Sequence, residues 1–322
     1  MLINKINQLK LFKSEDSRFL LGCGLKFSAI FFLACCLIYY VVWLLISVNS
    51  IYFETIQSGI NTELRQAFID NSLDVALQKL PYISLFLVFL FFLGIYLGKL
   101  LLRPFEVLGK YSSDQVNNKK NEYFPDLFSD YKLLTRFSEF FFRYIDECVR
   151  NKVLKPNTVP PVYSKIHSPP FERVFFFHFM LLTVIILIVT GFFVTYLTTE
   201  LSSSLVDVGV KLIGTKSNLV GQFLLNQYAV FESVIYLSMG VMAIGYFILS
   251  FHLYSKVSGG IFAFFSTMRS FMKGNYKARV HLIGYSHIRP HGRAFNKYLD
   301  LVEKMCTNSD NINENNNENN NH

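Results

Sequence analysis

Of 322 residues, 52% are hydrophobic and only 17% charged, which excludes an ordinary soluble globular chain, where about a quarter of residues carry charge. The net charge of +8 reflects 31 Lys and Arg against 23 Asp and Glu; anionic lipid beside the membrane accounts for that excess without a nucleic-acid partner. The five cysteines show no paired C-x-x-C spacing, which argues against a disulfide framework and against a thiolate metal site.

Residues 1–26 form a basic leader, with Lys5, Lys10 and Lys13 beside Leu9, Leu11 and Phe12, expected to be unstructured. Four apolar runs follow, at 27–48, 83–102, 174–197 and 233–253, each long enough at about 1.5 Å per residue to cross roughly 30 Å of hydrocarbon. The first run has no small-residue cleavage site at its end, so it is expected to stay as an anchor. Lys99, His178 and His252 lie near span ends, where long side chains can reach the interface.

The basic residues set the topology. Residues 1–26 carry five Lys and Arg, 49–82 two, 99–173 thirteen, 198–232 two and 254–322 nine. The positive-inside rule then places both termini and the long middle segment in the cytoplasm, with loops 49–82 and 198–232 outward. Each outward loop is about 35 residues, too short to bury a core of its own, and reads as helical extensions of the flanking spans.

After the first span pair (27–102), residues 103–150 open with Arg103-Pro104-Phe105 and pass through a polar stretch, Ser112 to Asn121, read as an exposed connector. A helix resumes after Pro125 with Leu134, Phe137, Phe141, Tyr144 and Cys148 at alternating steps of three and four. Residues 151–173 hold five prolines and read as a linker returning the chain to the membrane. The second span pair (174–253) leads into residues 254–305. There Val257, Ile261, Phe264, Met268 and Phe271 form one coiled-coil seam, and His291, Phe295, Tyr298, Val302 and Met305 another. Between them runs an extended connector opened by Gly274, with Tyr276 and Val280 as its apolar points. Each narrow seam needs a facing helix, so the unit is expected to form a homodimer. The asparagine-rich residues 306–322 are expected to be disordered.

The glycine followed by apolar residues two and six positions later (Gly274, Tyr276, Val280), then Phe295-Asn296-x-Tyr298, resembles the HAMP linker of membrane signalling receptors. Ser258-Gly259-Gly260-Ile261 is similar to that family's Gly-Pro-Ile helix entry, with Gly260 in the proline's place. Ser286 and His287 stand where the family has an Asp-Glu pair, and His291 where it has a leucine. Pro290 suits only a first helical turn, so the second helix is expected to begin near it. Phe141-Phe142-Arg143-Tyr144 lies over Phe295-Asn296-Lys297-Tyr298 at an offset of 154 residues. Pro104 lies over Gly260, and two tandem units of span pair plus HAMP-like segment result.

The expected fold is therefore an all-α membrane protein with four transmembrane helices and two short cytoplasmic coiled-coil-like helical units. The resemblance implies a non-enzymatic signal-transduction protein of the bacterial inner membrane. It would bind no cofactor or nucleic acid and would relay a membrane or extracytoplasmic event to a separate cytoplasmic output protein. The relay residues would be Gly260, Ile261, Phe264, Met268, Gly274, Tyr276, Val280, Phe295, Asn296 and Tyr298, with Pro104, Phe141 and Tyr144 in a degenerate first copy serving as support. The alternative is a channel, transporter or passive membrane organiser. Near mid-membrane the spans offer only Ser, Thr, Tyr and Cys to a transported solute and no acidic residue. His287 and His291 could share a helical face and hold a metal, but Pro290 between them spoils the regular helix and no third ligand is near in sequence. No catalytic signature appears.

Overall fold

The computed structural model describes residues 15–56, 62–119, 121–124, 132–166, 172–213 and 218–319, and among these it contains no strand. Among the described residues, eight α-helices follow in chain order: α1 Glu15–Ile56, α2 Thr62–Gln78, α3 Leu80–Val116, α4 Lys132–Asn151, α5 Pro161–Ser164, α6 Arg173–Ile213, α7 Asn218–Met272 and α8 Arg289–Asn319. Four of them, α1, α3, α6 and α7, contain apolar stretches long enough to cross a membrane. The protein is an all-α multi-pass membrane protein.

Two compact units divide the chain. One comprises Cys23–Gly94 and Met180–Ser250; the other comprises the chain up to Gly22, Ile95–Phe179 and Phe251–His322. In the first unit the spans meet through aromatic rings and missing side chains. The Phe86 ring stacks on Phe193 at 4.1 Å and meets Phe31 at 4.9 Å, which joins α1, α3 and α6. A Cβ on Gly94 would fall 2.8 Å from the Gly24 Cα, so α1 and α3 touch backbone to backbone there. The Tyr246 hydroxyl donates to the Phe27 carbonyl at 3.3 Å, and Ser250 donates to Thr183 at 2.9 Å. On its outer side Leu85, Phe192 and Tyr236 are 71%, 75% and 67% exposed, an apolar surface that water would penalise and lipid accepts. At the ends of the spans, Lys79 pairs with Glu200 at 2.8 Å and the Tyr39 hydroxyl donates to the Ala76 carbonyl at 2.9 Å.

Several expectations change. The leader is helical from Glu15 onward, with Glu15 and Asp16 in its first turn, where negative charge favours a helix start; Leu9, Leu11 and Phe12 lie outside the described residues. Helix α3 continues through Pro104 as far as Val116, although the proline removes a hydrogen bond to the Leu100 carbonyl. Ser112, expected in an exposed connector, is fully buried, and its hydroxyl donates to the Leu108 carbonyl at 2.8 Å. That bond satisfies the polar group inside its own helix, so a serine can occupy a buried position.

Likewise, no turn interrupts the chain at Ser258-Gly259-Gly260, because α7 runs unbroken from Asn218 to Met272. The glycines serve close approach instead. The second helix does begin where Pro290 predicts, at Arg289, after a 3-10 turn at Ser286–Ile288. Its backbone then stays helical to Asn319, in place of the disordered tail expected after residue 305. A helix already anchored by buried Phe295, Leu299 and Val302 adds residues without a second nucleation cost.

Candidate functional site

The second unit is organised by an aromatic cluster to which α3, α4, α7 and α8 all contribute. Phe105, Phe141, Phe142, Phe264, Phe271 and Phe295 are each at most 1% exposed. The Phe264 ring lies 5.6 Å from Phe105 and 5.5 Å from Phe295; Phe141 lies 5.9 Å from Phe295 and 6.0 Å from Phe271. Such edge and tilted ring pairs add about 0.5–1.5 kcal/mol each beyond burial. Phe141 and Phe295 lie far apart in the chain, and here they touch. The helices that the narrow seams require as partners are thus supplied by the same chain, so burying the seams calls for no second chain.

The connector between α7 and α8 is fixed at both ends and in its middle. Gly274 has φ +99°, a left-handed conformation costly for residues with a Cβ. Next comes Tyr276, whose ring meets Phe271 at 5.3 Å. Asn296 on α8 then bonds Val280 reciprocally: its amide oxygen accepts from the Val280 N–H at 2.8 Å and its amide nitrogen donates to the Val280 carbonyl at 3.0 Å. Both polar groups of an extended residue are satisfied by one side chain. Beside this bridge, the Arg279 guanidinium holds Asp300 at 2.7 Å and Glu303 at 2.5 Å.

Missing side chains then admit the connector's end. A Cβ on Gly259 would overlap the Tyr285 hydroxyl, and one on Gly260 would fall 2.6 Å from Ile288 Cδ1. The start of α8 is received in the same way, since a Cβ on Gly109 of α3 would fall 2.6 Å from His291 Nδ1. His287 stacks on Phe19 of α1 at 4.3 Å, and His291 faces Asp16 at 3.5 Å. Burial, reinforced by the nearby Lys256 ammonium, pushes the His287 imidazole below its ordinary value. The two histidines therefore have separate partners.

Tyr123, in the segment after α3, is held by different chemistry. Tyr123 packs against Tyr111 at 5.2 Å and Phe142 at 4.5 Å, and its hydroxyl lies 2.6 Å from that of Ser138. Phe142 also meets Tyr111 at 4.5 Å and Tyr298 of α8 at 5.9 Å. After α4 the linker crosses the end of α7: the Asn157 N–H donates to the Met272 carbonyl at 2.9 Å. Arg269 donates to the carbonyls of Tyr163, Ser164 and Ile166 at 3.3, 3.4 and 2.5 Å, and lies 5.3 Å from the Phe265 ring. One cation thus gathers the carbonyl end of the short α5.

Of the sequence-predicted relay residues, Gly260, Ile261, Phe264, Met268, Val280, Phe295 and Tyr298 are buried, as are Pro104, Phe141 and Tyr144; Gly274, Tyr276 and Asn296 are half-buried. Burial also raises the Tyr298 and Tyr144 phenols well above their ordinary value. The second seam needs one correction: Met305 is 44% exposed, and Cys306 is buried in its place, its thiol 3.7 Å from the Cys148 carbonyl. A straight helix at 3.6 residues per turn drifts off a strict seven-residue pattern, which moves the buried face by one position.

Sequence reasoning missed Phe105, Tyr111, Phe265, Arg269, Arg279 and Gly109. The adjacent apolar pairs Phe141-Phe142, Phe264-Phe265 and Phe271-Met272 were a legible signal. Paired positions widen a stripe beyond a single seam, as a helix with neighbours on two sides requires. Searches against known proteins match this chain to no family model, no curated protein and no solved structure.

Proposed function

We propose that this chain is a non-enzymatic signal-transduction protein of the bacterial inner membrane, with both termini cytoplasmic. It relays a membrane or extracytoplasmic event through its HAMP-like helical bundle to a separate cytoplasmic partner. The observation that supports this reading is the contact between Phe141 and Phe295 at 5.9 Å, aligned positions of the two sequence copies. A duplicated unit whose equivalent residues meet is a paired bundle carried on one chain, and a bundle of packed rings has discrete alternative packings through which two ends can be coupled. The four seam helices would be the moving parts, with Gly260, Ile261, Met268 and Tyr298 among the residues that repack. A second copy of the chain, where one assembles, would use surfaces outside these seams.

Transport has less support. The buried Thr190 and Ser250 hydroxyls donate within the protein, to the Ile186 carbonyl and to Thr183, which leaves them less available to a solute.

The test is a distance measurement by electron-spin resonance between nitroxides at the exposed Arg143 and Lys297 positions of the full-length chain in bilayer nanodiscs. A relay gives two distance populations whose ratio shifts with bilayer thickness or lateral pressure. One narrow distribution, unchanged across bilayers, would overturn it. Solute flux in liposomes that is lost on changing one buried span hydroxyl would favour the transporter instead.

A further inference from the structure

Helix α7 presents Ile244, Phe247, Ile248 and Phe251, each more than half exposed, and then turns polar at His252, Ser255 and Lys256. An apolar exposed stripe that ends in a lysine marks the boundary between acyl chains and headgroups, because a charge in hydrocarbon is costly whereas one at the interface is not. Lys256 lies five residues beyond Phe251, or about 7–8 Å along the helix. At this level the connector returns: Tyr285 rests on the bare backbone of Gly259, one turn from Lys256.

Between connector and helix lies a cleft of about 310 Å³, lined by His252, Ser255, Lys256, Ile283, Gly284 and Tyr285. Gly284 turns the chain with φ +83° and exposes its backbone to the cleft. The turn thrusts Ile283 outward until it is 92% exposed, the most exposed large apolar residue described in the chain. One wall is therefore an ammonium and a hydroxyl, and the rim is an aliphatic side chain at headgroup level. This combination suits a ligand that is anionic at one end and apolar at the other.

We propose that this cleft binds the phosphate headgroup of an anionic phospholipid, with Lys256 as the counter-charge and Ile283 dipping into the acyl boundary. The site would tie the connector of the second helical pair to the membrane surface. It rests on the membrane-spanning character of α7 and is independent of the relay reading, so either can fail alone.

The test uses the full-length chain with Trp43→Phe, which removes its single tryptophan, and Ile283→Trp as reporter. It is reconstituted in phosphatidylcholine vesicles containing phosphatidylglycerol, with brominated chains on one lipid or the other. The expected result is blue-shifted emission, with quenching enriched about fivefold for brominated phosphatidylglycerol, the effect of one basic residue at an anionic surface. Lys256→Gln should remove that preference without removing the blue shift. Emission typical of water with no quenching, equal quenching by both lipids, or a preference that survives Lys256→Gln would each overturn the proposal. Loss of the preference on adding excess inorganic phosphate would reassign the cleft to free phosphate and overturn the lipid assignment. Native mass spectrometry of the chain without the tryptophan changes is the check if the reporter fails to fold. Phosphatidylglycerol retention that is equal with and without Lys256→Gln would also count against the site.

Discussion

The two connectors of the helical unit do the same work with different chemistry. After α3, Phe142 of α4 grips Tyr123 through ring contacts at 4.5 Å, whereas after α7 Asn296 of α8 grips Val280 through two hydrogen bonds. Both residues stand immediately after the phenylalanines that meet at the bundle centre, Phe141 and Phe295. A side chain next to the buried seam projects toward the neighbouring surface of its helix, where a connector must pass. Position in the helix therefore assigns the task, and either an aromatic face or an amide can perform it. The apolar grip needs deep burial, while the amide grip needs only two unpaired backbone groups.

This comparison is best broken at its apolar side. Phe142→Ala removes a ring that is 1% exposed and touches Tyr111, Tyr123 and Tyr298. A loss of about 3–5 kcal/mol is expected, read as a lowered midpoint in a denaturing-detergent titration. A loss below about 1 kcal/mol would show that the connector is held elsewhere. Asn296→Ala should cost less, about 1–3 kcal/mol, because it leaves the Val280 N–H and carbonyl without this partner. Hydrogen exchange at Val280 should accelerate while that of α4 stays unchanged; acceleration in both would deny the connector-specific role.

Gly274→Ala sharpens the comparison at the connector's entry. A Cβ must adopt φ near +99° there, with Pro156 Cγ 3.4 Å away, at a cost of about 1–2 kcal/mol. A neutral result in the same titration would mean that the turn relaxes freely. The contact between α4 and α8 can be measured alone. A double-mutant cycle of Phe141→Leu and Phe295→Leu should return a coupling of about 0.5–1.5 kcal/mol, whereas additivity would separate the two halves.

The smallest expected effect is on pH. Because the folded His287 value is lowered from 6.5, the native state binds fewer protons than the unfolded one just below that pH. The stability contribution is fully present above 6.5 and is lost as pH falls toward the lowered folded value. His287→Phe, which keeps a ring against Phe19, should flatten the melting midpoint between pH 7 and pH 5; an unchanged slope would assign the pH dependence to another group.

The amino-acid sequence by itself determined the membrane class, the four spans, the helical extensions beyond them and the start of α8 near Pro290, since these depend on local apolarity and on backbone groups that proline lacks. It also showed the buried line Leu134, Phe137, Phe141, Tyr144 and Cys148, because helical periodicity is a local property. Only the tertiary structure decided which seams face each other. Periodicity says that Phe264 and Phe295 are buried, but a partner helix from the same chain and one from a second chain leave the same pattern. The bridging of Val280 by Asn296, and the use of Gly109 and Gly259 as seats for His291 and Tyr285, were likewise hidden. Contacts between residues far apart in the chain depend on where whole helices come to lie, and residue spacing along one helix carries no record of that.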